Sequence, residues 1–131
     1  MLSMLIAVQI TAALAGLVHV YIWVMECLRF SDPKVHQGVF RTATANVEHV
    51  RSWAFNQGWY NLFLATGALA GVAVVRAEAQ VGWTLIIFAC GSMLGAALVL
   101  VLKDRSMVSA ALKQGLFPAL ALLLALVFAL M

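Results

Sequence analysis

The side chains best suited to chemistry in this chain are polar groups set inside apolar sequence. Asn56-Gln57-Gly58-Trp59-Tyr60-Asn61 opens an apolar stretch long enough to cross a bilayer. Lipid offers these groups no hydrogen-bond partner, so leaving them facing it is costly. On a helix Asn56 and Tyr60 share a face, as do Gln57 and Asn61, because each pair is four residues apart. That side should turn toward other helices or water. In the first apolar stretch His19, Trp23 and Glu26 are spaced four and three apart and form one stripe. A carboxylate and an imidazole so placed, with Lys113 nearby, could take up and release protons. Glu26 and His19 are the candidate acid–base pair. Asn56, Gln57, Tyr60, Asn61 and Gln114 are the candidate orienting groups for a ligand, and Arg51 and Arg105 the candidate anion holders. No metal site is expected, since His19 and Glu26 are seven apart rather than the three or four that one helix needs for adjacent ligands. The spacing of Cys27 and Cys90 does not suit zinc, and their different depths argue against a disulfide.

The elements that must position these groups are membrane spans. Of 131 residues, 65% are hydrophobic and 10% charged, against about 25% charged in a soluble domain. The mean hydropathy is +1.03. Spanning takes roughly 20 apolar residues per helix, so the chain has room for four crossings. The expected fold is a single all-α domain over 1–131, a four-transmembrane-helix bundle of up-down topology. Its spans are about 1–28, 53–75, 81–102 and 106–131. The first lacks a basic leader and a small-residue cleavage site, and it is expected to be retained. The net charge of +3 does not indicate nucleic acid. Basic residues beside apolar segments instead report topology and lipid headgroup contact.

Between the first two spans, Ser31-Asp32-Pro33 predicts a helix start with Asp32 as N-cap and Pro33 at the first position, stopping at Gly38. From Thr42 or Thr44 the pattern is helical again and runs into the second span, placing His49 and Arg51 at the membrane surface. Arg76, Glu78 and Gln80 form one tight turn, and Lys103-Asp104-Arg105 the next. Gly91-xxx-Gly95 is a packing motif in the third span. Pro118 should bend the fourth and free a carbonyl near Gln114. The first and third connections, with adjoining helix ends, hold Arg29, Lys34, Arg41, Arg51, Lys103, Arg105 and Lys113; only Arg76 lies opposite. Those connections are expected to face the cytoplasm, both termini facing out from a cell (inner) membrane.

Helix rise, ~1.5 Å per residue, then converts sequence position into depth. Glu26 falls near the cytoplasmic end of the first span and His19 ~10 Å deeper. Asn56 to Asn61 occupy the first turns of the second span, and Lys113 and Gln114 stand about two turns into the fourth. The outer halves are almost wholly Ala, Leu, Val and Phe, apart from Gln9. This asymmetry predicts a polar pocket that opens toward the cytoplasm and is closed beyond. Each member also has a plainer reading. Glu26 can be an interfacial carboxylate, His19 a histidine satisfied by a backbone carbonyl, Lys113 an ammonium reaching headgroups, and Gln57 and Asn61 glue between helices.

The chain resembles a family of small bacterial and fungal membrane proteins known as domain of unknown function thirteen-oh-four. His19-Val20-Tyr21-Ile22 with Glu26, Asn56-Gln57-Gly58 with Tyr60-Asn61, and Gln114 with Pro118-Ala119 carry that resemblance. In layout the chain is also similar to the membrane-associated proteins in eicosanoid and glutathione metabolism. That similarity implies a homotrimer binding glutathione between subunits, near the polar helix ends. Their second-helix motif has an arginine, an asparagine four on, then a glutamate. Here Asn56 follows Arg51 at five, and Trp59 stands where the glutamate would be.

These observations lead to an integral membrane protein whose cytoplasm-facing intramembrane pocket binds a small amphipathic or lipid-like ligand. An enzyme built on it would resemble a glutathione transferase or an isomerase. The alternatives are a small proton-coupled transporter subunit and a structural membrane partner without chemistry. The expected partners are the lipid bilayer and further copies of the chain.

Overall fold

A computed structural model describes residues 1–131, and the chain is all-helical, with no strand. In order it forms α1 (Leu2–Trp23), a wider π-helical turn (Val24–Leu28), the short α2 (Pro33–His36), α3 (Val47–Val74), α4 (Ala79–Lys103) and α5 (Val108–Leu130). Single 3-10 turns lead into α3 and α5. Three helical stretches are long and apolar enough to cross a membrane: Leu2–Leu28, Ala79–Lys103 and Arg105–Leu130. The 28-residue α3 is as long, but Asn56, Gln57 and Asn61 dilute its apolar content.

The starts and stops follow local chemistry. Asp32 caps α2 by accepting from the Lys34 backbone N–H, with Pro33 at the first position, as expected of a residue that needs no amide partner there. Helix α2 ends at His36, two residues before Gly38. The chain then turns through Arg41, whose φ of 54° is left-handed. Asp104 repeats the capping device by accepting from the Ser106 N–H before α5. Pro118 lies inside α5, which continues through it.

Packing runs along stripes of small residues. In α3, beyond Val47 at its start, the buried positions are Ala54, Gly58, Asn61, Ala65, Ala68 and Gly71, a rhythm of three and four that keeps one narrow seam facing its neighbours. Helices α1, α4 and α5 present similar seams, rich in Ala12 and Ala15, Ala89 and Ala97, and Ala111, Ala121 and Ala125. Large apolar side chains point the other way: Leu17, Phe63, Phe88, Leu102 and Leu123 are among the exposed ones. Small residues inside let helix backbones approach closely, which matters where lipid removes the hydrophobic drive for association.

Helix α1 packs on α3 and α5, and α4 packs on the same two. Gln9, early in α1, donates to the Val72 carbonyl late in α3 at 3.0 Å, and its own carbonyl accepts from Arg76 Nη2 at 2.8 Å. Those two helices therefore run in opposite directions, clasped at the end away from the polar motif. Trp83 and Phe128 rings meet at 5.2 Å, so α4 and α5 are antiparallel as well. At the other end Arg41 donates to the Ser106 hydroxyl at 3.3 Å, joining the first connection to the third.

Glycine contacts correct one expectation from the sequence. A Cβ on Gly91 or Gly95 would meet nothing within 4 Å, so that motif packs no helix within the chain. In the α3–α4 pair the close approaches are at Gly71 and Gly82, where α3 folds back on α4.

Candidate functional site

The polar end of the molecule is built where the end of α1 meets the start of α3. The π-helical turn is closed by the Arg29 N–H donating to the Val24 carbonyl, five residues back, at 3.0 Å. Such turns insert a residue into a helix and recur at functional sites. Here the turn buries Met25 and Glu26 together and leaves Cys27 half-buried. Gly58 makes room for it, since a Cβ there would lie 2.5 Å from Cys27 Sγ and 3.0 Å from Glu26 Cβ. The Cys27 thiol in turn donates to the Phe55 carbonyl at 3.3 Å.

Through that close approach Asn61 reaches Glu26. Its amide nitrogen donates to Glu26 Oε2 at 2.8 Å and also to the Gln57 carbonyl at 3.2 Å. Glu26 and Asn61 are each 8% exposed. The second carboxylate oxygen, Oε1, makes no hydrogen bond within the chain, and Glu26 is in no ion pair. The two ion pairs lie elsewhere, Arg29 with Asp32 and Arg51 with Glu48. A cleft of about 460 Å³ opens beside this pair, lined by Glu26, Cys27 and Leu28 at the end of α1, Phe30 and Ser31 beyond it, and Glu48, Arg51, Ser52 and Phe55 of α3. At its mouth Arg51 donates to the Ser31 hydroxyl and lies 3.3 Å from Glu48 Oε1. On the outside of α3, Phe55, Trp59 and Phe63 stack at successive turns, and Trp23 meets Trp59 edge to face at 5.8 Å. The Trp23 indole N–H is buried without a partner.

The residues singled out in the sequence fall into distinct settings. Glu26 and Asn61 are bonded to each other, and Arg51 joins Glu26 on the cleft wall. His19 is buried, but its Nδ1–H donates to the Ala15 carbonyl of its own helix at 2.9 Å, the plainer reading of that residue. Gln57 serves through its backbone carbonyl while its side chain is exposed, and Asn56 and Tyr60 are exposed too. Arg105 is exposed in the 3-10 turn before α5, and Gln114 is half-buried on α5; neither lines the cleft. No three His, Cys, Asp or Glu side chains are grouped to hold a metal ion.

Several residues of this region escaped the sequence reading: Cys27 as a wall, Ser31, Glu48, Ser52, Phe55 and, behind them, His36. The His36 ring is buried, donating from Nδ1 to the Phe30 carbonyl at 2.9 Å and meeting the Thr44 hydroxyl through Nε2 at 3.1 Å. It thereby holds the connection against which the cleft is formed. The three-residue spacing of Glu48 and Arg51 was the one signal available for this group.

Comparison with known proteins places the chain more firmly. The family described as "Protein of unknown function (DUF1304)" matches residues 13–126. The chain belongs to that family. The matched span takes in the DUF1304 chain's His19, Glu26, Asn61 and Gln114, and every residue lining the cleft. No curated protein and no solved structure matches it.

Proposed function

We propose that this DUF1304 protein is a four-helix, up-down integral membrane protein that binds a small amphipathic or lipid-like ligand in the cleft beside Glu26. One observation carries the reading: a buried carboxylate, bonded only by the neutral Asn61 amide, forms part of an open cleft that sets apolar Cys27, Leu28, Phe30 and Phe55 beside polar Ser31, Glu48, Arg51 and Ser52. Such a mixed lining suits an amphipathic molecule, its apolar part against the aromatic rings and its polar part among the converging polar groups. The antiparallel pairing of α1 with α3 and of α4 with α5 supports the up-down arrangement, with α3 as the fourth crossing. The gathering of basic residues at the cleft end supports a cytoplasmic orientation there, in a cell membrane. The open Gly91 and Gly95 surface supports association with further copies, a trimer being the form suggested by layout.

The binding reading ranks above glutathione-transferase-like or isomerase-like catalysis. Arg51, the group that would steady a thiolate or another anion, is already engaged by Glu48 and Ser31. His19, the other half of an acid–base pair, spends its Nδ1 proton on its own helix. A proton-coupled carrier is the second reading, favoured by the absence of any cation paired with Glu26.

Protection of Cys27 tests the binding reading. The protein in nanodiscs is treated with a maleimide while short-chain amphiphiles of varied headgroup are added, the buried Cys90 serving as internal reference. Saturable protection of Cys27 by at least one of them is expected, together with its loss in Phe55→Ala. Uniform labelling under every amphiphile would sink the site. Substrate uptake into proteoliposomes that disappears in Glu26→Gln would favour the carrier.

A further inference from the structure

We infer that the cleft selects a cationic amphiphile, its ammonium set against Glu26 and its apolar body lying along Leu28, Phe30 and Phe55. This rests on the binding reading above and names the ligand class for that site. The argument is one of charge. Beside the Cys27 thiol, three charge-bearing side chains line the cleft: the carboxylates Glu26 and Glu48 and the guanidinium of Arg51. Arg51 and Glu48 face each other at 3.3 Å and offset one another. Glu26 is left with no positive partner in the chain, 8% exposed, one oxygen held by Asn61 and the other free.

A carboxylate removed from water stays costly until it takes up a proton or a partner of opposite sign joins it, and a bound cation favours the ionised form. An anionic ligand would have to approach Glu26 with only an already paired arginine to receive it. A cation meets the opposite situation, because its own charge completes the site. Phe30 and Phe55 also line the cleft, and aromatic rings attract a cation that reaches their faces. The 460 Å³ of space falls within the range of small-molecule pockets. The hydroxyls of Ser31 and Ser52 offer acceptors to any N–H groups that the carboxylate leaves over.

The test ranks three probes by protection of Cys27 in nanodiscs: decyltrimethylammonium, decyl sulfate and decyl maltoside, each below its solubilising concentration. Decyltrimethylammonium is expected to protect at a concentration at least tenfold lower than the other two. In Glu26→Gln that preference should vanish, and in Glu26→Asp it should persist. Arg51→Gln, on the exposed rim, frees Glu48 and should widen the preference several-fold; this variant decides the matter if Glu26→Gln fails to fold. Equal or better protection by decyl sulfate or decyl maltoside would overturn the cationic class while leaving the site in place. Protection by none would remove the site itself, and an unchanged preference in a folded Glu26→Gln or in Arg51→Gln would overturn the assignment to charge.

Discussion

Asn61 has one role that its type explains and another that its position adds. As a neutral donor it satisfies a carboxylate oxygen without cancelling its charge, and it sits on the same seam as Ala65 and Ala68. Asn61→Leu keeps the bulk but strands a buried acceptor, a change that costs about 1–3 kcal/mol. Reversible unfolding of the purified protein in mixed micelles should show a loss of that size, whereas substituting the exposed Asn56 with leucine should leave stability nearly unchanged. Gly58 carries the complementary constraint. Gly58→Ala drives a methyl into Cys27 and Glu26, and overpacking of this kind costs about 1–3 kcal/mol. Adding Cys27→Ala removes the nearer obstacle, so the double variant should recover part of the loss. Strict additivity of the two would mean that the thiol is not what Gly58 makes room for.

Among the elements, the connection between α1 and α3 is the most chemically determined. Its first turn hangs on Asp32, whose carboxyl is held below the usual carboxylate range. The Lys34 backbone N–H is the main cause, followed by the Arg29 side chain. A carboxyl whose folded pKa is depressed contributes stability above its unfolded value, about 3.9, and loses it as pH falls through the lower folded value. The Lys34 amide resonance should therefore hold steady at and above about pH 3.9 and move only as the pH falls below it and the cap releases. Asp32→Asn should keep the α2 turn, because asparagine also caps, while abolishing that titration. Asp104 behaves alike, its carboxyl lowered first by the Ser106 side chain and then by the Ser106 N–H. The contact between Arg41 and Ser106 joins the connection that follows the first of these acid-capped turns to the second.

For the molecule as a whole, the apolar exterior and the basic end make two predictions. Introduced cysteines at Arg76 and Arg105, in a Cys27→Ser background, should react with an impermeant maleimide from opposite sides of intact membranes, Arg105→Cys only from the cytoplasmic side. Reaction of both from the same side would contradict the up-down arrangement. The Gly91 and Gly95 surface of α4 faces no helix of its own chain. Gly91→Leu with Gly95→Leu should leave the fold of one copy intact and shift the protein to smaller species in cross-linking, as expected if copies meet there. An unaltered assembly would assign that face to lipid.

The chain's own order of residues was enough to mark its long helices, the Asp32 cap before α2 and the asymmetry of its charges. The first two depend on neighbours a few positions apart: the run of apolar residues in α4, and Asp32 before Pro33. Spacing also placed Asn61 on one face of its helix, though not against which partner. The pairing of Glu26 with Asn61 and the engagement of Arg51 by Ser31 join residues 35 and 20 positions apart, and no local period carries such information. His19 shares a stripe with Glu26 in the sequence, yet its proton goes to a carbonyl one turn back, a choice that spacing leaves open. What the tertiary structure decided was how closely two backbones could come together. A widened turn opposite a glycine brought carboxylate and amide to 2.8 Å, and a cleft exists only because those two helices meet there.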